Sequence, residues 1–244
     1  MNGHREPGQS SKRTPLSTPE GVIFDMDGVL IDSHALHRHA WRRFLASLGK
    51  DVADEQLDYI LEGRRREEIL RYFLGDLPRD TLVEYGQQKG HFFRENLKDV
   101  QLIPGVRAFL EILATAGIKT GIATSASSYR TRETLEVLDL KKFAVVITGD
   151  DVPIGKPDPT VYECACQAMQ LPREELLVLE DAPCGVQAAK AAGIRCVGVS
   201  SNGRAVTLSK AGADHVIPDF RGLSIERLSE MWRSMTTNRM ASAI

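Results

Sequence analysis

Short β-branched runs recur along the chain with helix-patterned stretches between them, and that alternation restricts the possible folds more than any other feature. The runs are GVIFD (21–25), IKTGIAT (118–124), FAVVITG (143–149), LLVLED (176–181), RCVGVS (195–200) and HVIPDF (215–220). Their near-continuous apolar character predicts strands covered on both faces, as in a parallel sheet. VRAFLEILATAG, SYRTRETLEVLDL, DPTVYECACQAMQ and PCGVQAAKAAG read as helices, the first closed by Gly117 and the last by Gly193. Strand alternating with helix predicts an α/β fold, a doubly wound parallel sheet.

One interval breaks the rhythm. About ninety residues separate the first run from Ile118, far more than the dozen or so that a parallel crossover needs. Residues 33–100 look helical and amphipathic, which predicts an inserted α-helical cap that leaves the core after Asp32 and returns before Pro104. The expected organisation is therefore a core of residues 21–32 and 101–231, a cap of 33–100, a disordered extension of 1–20 and a flexible tail of 232–244. The extension is rich in Ser, Pro, Gly, Arg and Lys and has no apolar period.

At 244 residues the chain can bury a sizeable core. Its 31 Lys and Arg nearly balance 33 Asp and Glu, so no global field draws it to nucleic acid or to an anionic membrane. No apolar run reaches the roughly 18 residues of a membrane span, and no secretory signal opens the sequence, so a cytoplasmic setting is expected. Cys164, Cys166, Cys184 and Cys196 form no CxxC pair and read as plain buried thiols. A self-contained core with a mobile cap predicts a monomer.

Function must then be read from sites. In doubly wound sheets ligands bind at the carboxyl ends of strands where the winding reverses. Asp25 ends the first run, with Asp27 two positions on, and Glu180 and Asp181 end LLVLED. Singly, such acids cap loops and helices. Together, if the two strands are neighbours, they form an all-oxygen cluster suited to a hard cation such as Mg²⁺. Lys156 in GKPDP, and the hydroxyls and amides of Thr124 and Ser125, are the kind of groups that cradle a phosphoryl group. In isolation the lysine reads as a solvated loop charge and the hydroxyls as caps.

The order DMDGVL, IATS, GKPDP, LEDAPCGVQAAKAAG resembles the four successive motifs of the haloacid dehalogenase superfamily, in its phosphatase and phosphomutase branch. The likeness spans Gly21 to Ser200. It implies that Asp25 attacks phosphorus and that Asp27 is the general acid and base. It implies further that Asp25, the carbonyl of Asp27, and Asp181 hold Mg²⁺ with Glu180 as ligand or water-mediated partner. Thr124 and Lys156 would grip the phosphoryl group, with Ser125 beside them, the lysine also steadying Asp25. Within the cap the resemblance narrows to β-phosphoglucomutase and its sugar-phosphatase relatives, and implies substrate contacts from His37, Gly63, Arg66 and Lys89.

His34, His37 and His39 also suggest a metal cluster, but their spacing spreads them around a helix and they read as solvated or packed. Arg64, Arg65 and Arg66 have the plain reading of a solvated face. Arg65 stands where the specificity loop of the mutase has serine, and Ile69 replaces a polar residue. The expectation is a Mg²⁺-dependent phosphomonoesterase for a small-molecule phosphate ester, a sugar phosphate foremost. The alternatives are β-phosphoglucomutase itself and a non-catalytic module that keeps the fold.

Overall fold

The computed structural model describes residues 18–140, 142–201 and 203–241. The extension expected at 1–20 lies outside the described residues up to position 17, as do the last three residues of the expected tail.

Six parallel strands form the main sheet: β1 (Gly21–Phe24), β4 (Lys119–Ala123), β5 (Val145–Ile147), β6 (Leu176–Glu180), β7 (Arg195–Val199) and β8 (His215–Ile217). Their order is β5-β4-β1-β6-β7-β8, so β1 is central and the chain winds outward from it in both directions. Phe24 is in register with Ile122 on one side and Leu179 on the other. The residues that follow in each strand, Asp25, Ala123 and Glu180, therefore emerge together at the carboxyl edge. This is the doubly wound parallel α/β fold that the run pattern predicts.

Side chains alternate across the sheet and divide the core in two. Val22, Phe24, Ile122, Leu177, Leu179 and Val197 pack on helices α4 (Val106–Thr115) and α9 (Ile225–Ala241). Ile23, Ala123, Leu176, Val178 and Cys196 pack against α6 (Thr160–Met169), α7 (Pro183–Ala191) and α8 (Ala205–Lys210). Helix α5 (Ser128–Val137) follows β4 and starts on Ser127, whose hydroxyl accepts the N–H of Arg130. Ser-x-x-Arg lacks the acidic partner of a full capping box, so one orphan N–H is served rather than two.

Residues between Asp32 and Gln101 build a separate layer. Helices α1 (His34–Ser47), α2 (Arg66–Leu74) and α3 (Arg79–Arg94) enclose their own apolar cluster around Trp41, Phe44, Leu57, Leu70 and Leu82. Two 3-10 turns, Gln56–Leu61 and Leu97–Asp99, complete it, so the segment is less continuously helical than its amphipathic pattern suggests. Where the segment departs and rejoins, β2 (Ile31–Asp32) pairs antiparallel with β3 (Gln101–Leu102). Two-residue strands carry too little pattern to be read from sequence.

Among the described residues no helix is long and apolar enough to cross a membrane. Cys184 and Cys196 are buried free thiols, and Cys164 and Cys166 are free and half-buried.

The expected flexible tail from residue 232 is corrected by α9. Its positions Leu228, Met231, Trp232 and Met235 recur at helical spacing and are buried in the core. The Arg195 guanidinium lies 4.0 Å from the centre of the Trp232 ring, a cation–π contact that the distant strand β7 supplies. Substituting Trp232→Ala is expected to cost about 3–5 kcal/mol in urea unfolding, the range for deleting a buried large aromatic side chain. A loss under about 1 kcal/mol would mean that the helix is dispensable to the core.

Candidate active site

A cavity of about 520 Å³ lies between the carboxyl edge of the sheet and the helical layer. That size suits a small metabolite. Asp25, Asp27, Thr124, Ser125, Glu180 and Asp181 line it from the core, and His37, Gly63, Arg66 and Lys89 from the helical layer. Lys156 lies behind this wall.

The buried ammonium of Lys156 joins two strands. Its Nζ donates to Asp25 Oδ1 and Glu180 Oε1, each at 2.6 Å, and to the carbonyl of Ala123 at 3.2 Å. With all three protons directed at protein acceptors, Lys156 steadies Asp25 rather than reaching into the cavity. Burial opposes its charge, but Asp25 and Glu180 outweigh it and hold the ammonium above the ordinary lysine range.

Glu180 is tied into the same network. Its Oε1 also accepts from the Tyr162 hydroxyl at 2.8 Å, and its Oε2 accepts from the Ala182 amide at 3.0 Å. Both oxygens are engaged in a fully buried carboxylate, so it is the counter-charge to Lys156.

The two aspartates of DMD meet opposite surroundings. Burial pushes Asp25 well above the usual carboxylate range despite Lys156, and the negative charges of Glu180, Asp181 and Asp27 push the same way. Burial also acts on Asp27, but the Arg130 guanidinium foremost, then His37, hold it well below that range. Asp27 Oδ1 accepts from the Ser33 hydroxyl at 2.7 Å, from His37 Nε2 at 3.1 Å and from Arg130 Nη1 at 2.9 Å; its Oδ2 accepts from Arg130 Nη2 at 2.5 Å.

Asp181 completes the cluster, with Oδ2 2.7 Å from His34 Nε2. Gly28 makes this approach possible. It turns the chain at φ +73°, and a Cβ there would fall 2.2 Å from Asp181 Oδ2 and 2.6 Å from His34 Nε2. Asp25 and Asp181 together with the Asp27 carbonyl are hard oxygen donors, and the elevated Asp25 is short of positive charge. That donor set fits a divalent cation of the Mg²⁺ type. Among the described residues no group of three His, Cys, Asp or Glu side chains forms a ready-made cage. A site of this kind must draw on a main-chain carbonyl, phosphate oxygens or water.

From the helical layer, His37 lies between Lys89, whose Nζ is 3.0 Å from Nδ1, and Asp27. With Lys89 donating to Nδ1, the ring is a neutral Nε2–H tautomer facing the carboxylate. Burial first, then the Lys89 charge, lower its pKa to about 3. Arg66 lies along α3 over Gly86, where a Cβ would fall 2.5 Å from Nε, and that buried Nε has no hydrogen-bond partner among the described residues. Ser125 donates its hydroxyl to the Gly63 carbonyl at 2.8 Å, so it bridges core and helical layer instead of facing the cavity alone. Arg65 bonds the carbonyls of Gly149 and Pro153 across the same seam.

Sequence reasoning passed over Ser33 and Arg130 and read His34 as solvated or packed. His34 and His37 share one face because they are three apart, while His39 is exposed. That spacing was a usable signal. Arg130 gave none, since an arginine in the first turn of a polar helix ordinarily points to solvent.

The chain is similar to known proteins along most of its length. The family model described as Haloacid dehalogenase-like hydrolase matches residues 22–199. The "Phosphorylated carbohydrates phosphatase" of Thermotoga maritima is 38% identical, the match covering 72% of this chain and 82% of that one. A "Beta-phosphoglucomutase" of Mycobacterium tuberculosis is 30% identical over 85% and 94%. Among solved structures, CbbY from Rhodobacter sphaeroides in complex with phosphate superposes with a TM-score of 0.75 at 27% identity, covering 86% of this chain and 99% of its own.

A neutral buried His37 makes stability depend on pH. Between about 3 and the unfolded value of 6.5 the native state binds fewer protons than the unfolded chain, so stability is full above 6.5 and falls as pH drops. From pH 8 to pH 5 the wild type is expected to lose about 2 kcal/mol more than His37→Asn in urea unfolding. Equal losses would mean that His37 titrates normally in the folded protein.

Proposed function

The chain belongs to the haloacid dehalogenase-like hydrolases, and from that premise we propose a phosphomonoesterase of small phosphorylated sugars with Asp25 as its nucleophile. One observation carries this reading. Asp25 stands at the carboxyl end of the central strand, braced by a buried ammonium, and opens into a cavity whose remaining wall holds Arg66, Lys89 and Arg130.

Each step follows from the residues. Asp27 first takes up a proton from solvent or the phosphate monoanion against the pull of Arg130 and His37. Asp25 then forms a bond to phosphorus as the bond from phosphorus to the sugar oxygen breaks, and Asp27 gives that leaving oxygen its proton. Water then attacks the aspartyl-phosphate and passes a proton to Asp27, which releases inorganic phosphate and restores Asp25. Thr124, at the end of β4, faces the phosphoryl oxygens, while Lys156 keeps Asp25 aimed. Held by Asp25, Asp181 and the Asp27 carbonyl, Mg²⁺ would neutralise phosphoryl charge and keep Asp25 ionised. The helical layer closes over the substrate and excludes water. A cytoplasmic monomer suits this chemistry.

Relatives named phosphatases, among them the hexitol phosphatase A of Escherichia coli, support hydrolysis of sugar phosphates. Arg66 and Lys89 also favour a second reading, a mutase that holds a bisphosphate between two sites. The readings differ in whether water or a sugar phosphate takes the phosphoryl group. With a panel of sugar phosphates and Mg²⁺, free phosphate is the expected product. Chelation is expected to abolish its release and Asp25→Asn to lower turnover about 10³-fold or more. Conversion of β-glucose 1-phosphate mainly to glucose 6-phosphate, with a trace of bisphosphate present, would overturn hydrolysis in favour of the mutase.

A further inference from the structure

We propose that Arg130 is a positioning residue for proton transfer at Asp27, and that it matters most for substrates whose leaving oxygen must be protonated. The inference rests on the reading of Asp27 as general acid and extends it to a residue that no motif marks.

Asp27 Oδ1 already has two donors from the start of the helical layer, the Ser33 hydroxyl and His37 Nε2, besides Arg130 Nη1. Oδ2 has Arg130 Nη2 as its partner among the described residues. The crowded oxygen is fixed by short, packed groups. Oδ2 is the oxygen left to carry a proton to the substrate, and the guanidinium is its donor among the described residues. The guanidinium favours the ionised carboxylate, so its role is to aim Oδ2 and not to load the proton; a protonated Oδ2 keeps a lone pair for Nη2, and the contact survives both protonation states.

Arg130 is itself anchored. Its amide is bonded to Ser127, which fixes the first turn of α5 at the end of β4. Its guanidinium lies 5.1 Å from the centre of the buried Phe93 ring of α3, and 16% of the side chain is exposed. A planar fork gripping both oxygens is a geometry that an ammonium cannot reproduce. The sequence separation of 103 residues joins the loop after β1 to the helix after β4, both edges of the same cavity.

In the first half-reaction the electron pair of the breaking P–O bond stays on the leaving oxygen. An alkoxide is too basic to depart without Asp27's proton, whereas a nitrophenolate departs readily without it. The test compares kcat/KM, which reports through formation of the aspartyl-phosphate, for an alkyl and an aryl phosphate on the full-length protein with Mg²⁺. Arg130→Ala is expected to lower kcat/KM for glucose 6-phosphate roughly 10- to 100-fold and for p-nitrophenyl phosphate less than about threefold, a fraction of the range for general acid catalysis. Arg130→Lys, the safer variant for folding, is expected to restore part of the alkyl rate. Asp27→Asn provides the reference and should show the same selectivity more strongly. If Asp27→Asn discriminates but Arg130→Ala and Arg130→Lys lower both rates equally, or neither, the role of Arg130 is refuted and that of Asp27 stands. If Asp27→Asn lowers both rates alike, the reading of Asp27 as acid fails and takes the inference with it.

Discussion

A buried ammonium between two carboxylates, Lys156 against Asp25 and Glu180, is the contact on which the rest of the molecule depends. All three groups are nearly inaccessible to water. Taking such charges from water costs several kcal/mol per ion, and removing one partner of a buried pair typically costs about 3–5 kcal/mol. The arrangement is tolerable because the ammonium and Glu180 are fully engaged: Tyr162 and the Ala182 amide complete Glu180, and the Ala123 carbonyl completes Lys156. Strand order makes it possible. With β4 and β6 flanking β1, the residues after Phe24, Ile122 and Leu179 must meet at one edge.

That geometry turns two aspartates with one residue between them into different chemical groups. Asp25 lies deep at the floor of the cavity, where burial and neighbouring anions leave it wanting a cation. Asp27 lies one step outward, where Arg130, His37 and Ser33 converge on it. The division of labour proposed for them, nucleophile and proton carrier, would thus follow from depth beneath the sheet edge. The helical layer takes part directly, because His37 belongs to its first helix and links Asp27 to Lys89 on α3.

Much of this was legible in the sequence, for identifiable reasons. Six short apolar runs define the strands, and the two that end in acids, GVIFD and LLVLED, define the cluster, since a parallel strand buried on both faces puts its charges at its ends. The ninety-residue interval announced an insertion because no crossover needs that length. Other features depended on distance in space. The roles of Glu180 and Lys156 turn on Tyr162 and on amides that no pattern marks. Arg130 meets Asp27 only after the sheet forms, and His34 meets Asp181 only because Gly28 leaves room. The end of helix α9, from residue 232, looked like a tail because its apolar positions are sparse, and their burial becomes plain only against α4 and β7.

The central claim is that the carboxylate cluster, with Lys156 engaged in its interior, needs one divalent ion for balance. Titration with Mn²⁺, a hard surrogate whose free-ion resonance vanishes on binding, tests it most directly without any substrate. The wild type should take up one ion per chain, and Asp181→Asn should bind it at least about tenfold more weakly while remaining folded. Undiminished binding by Asp181→Asn, or none by the wild type, would contradict the claim.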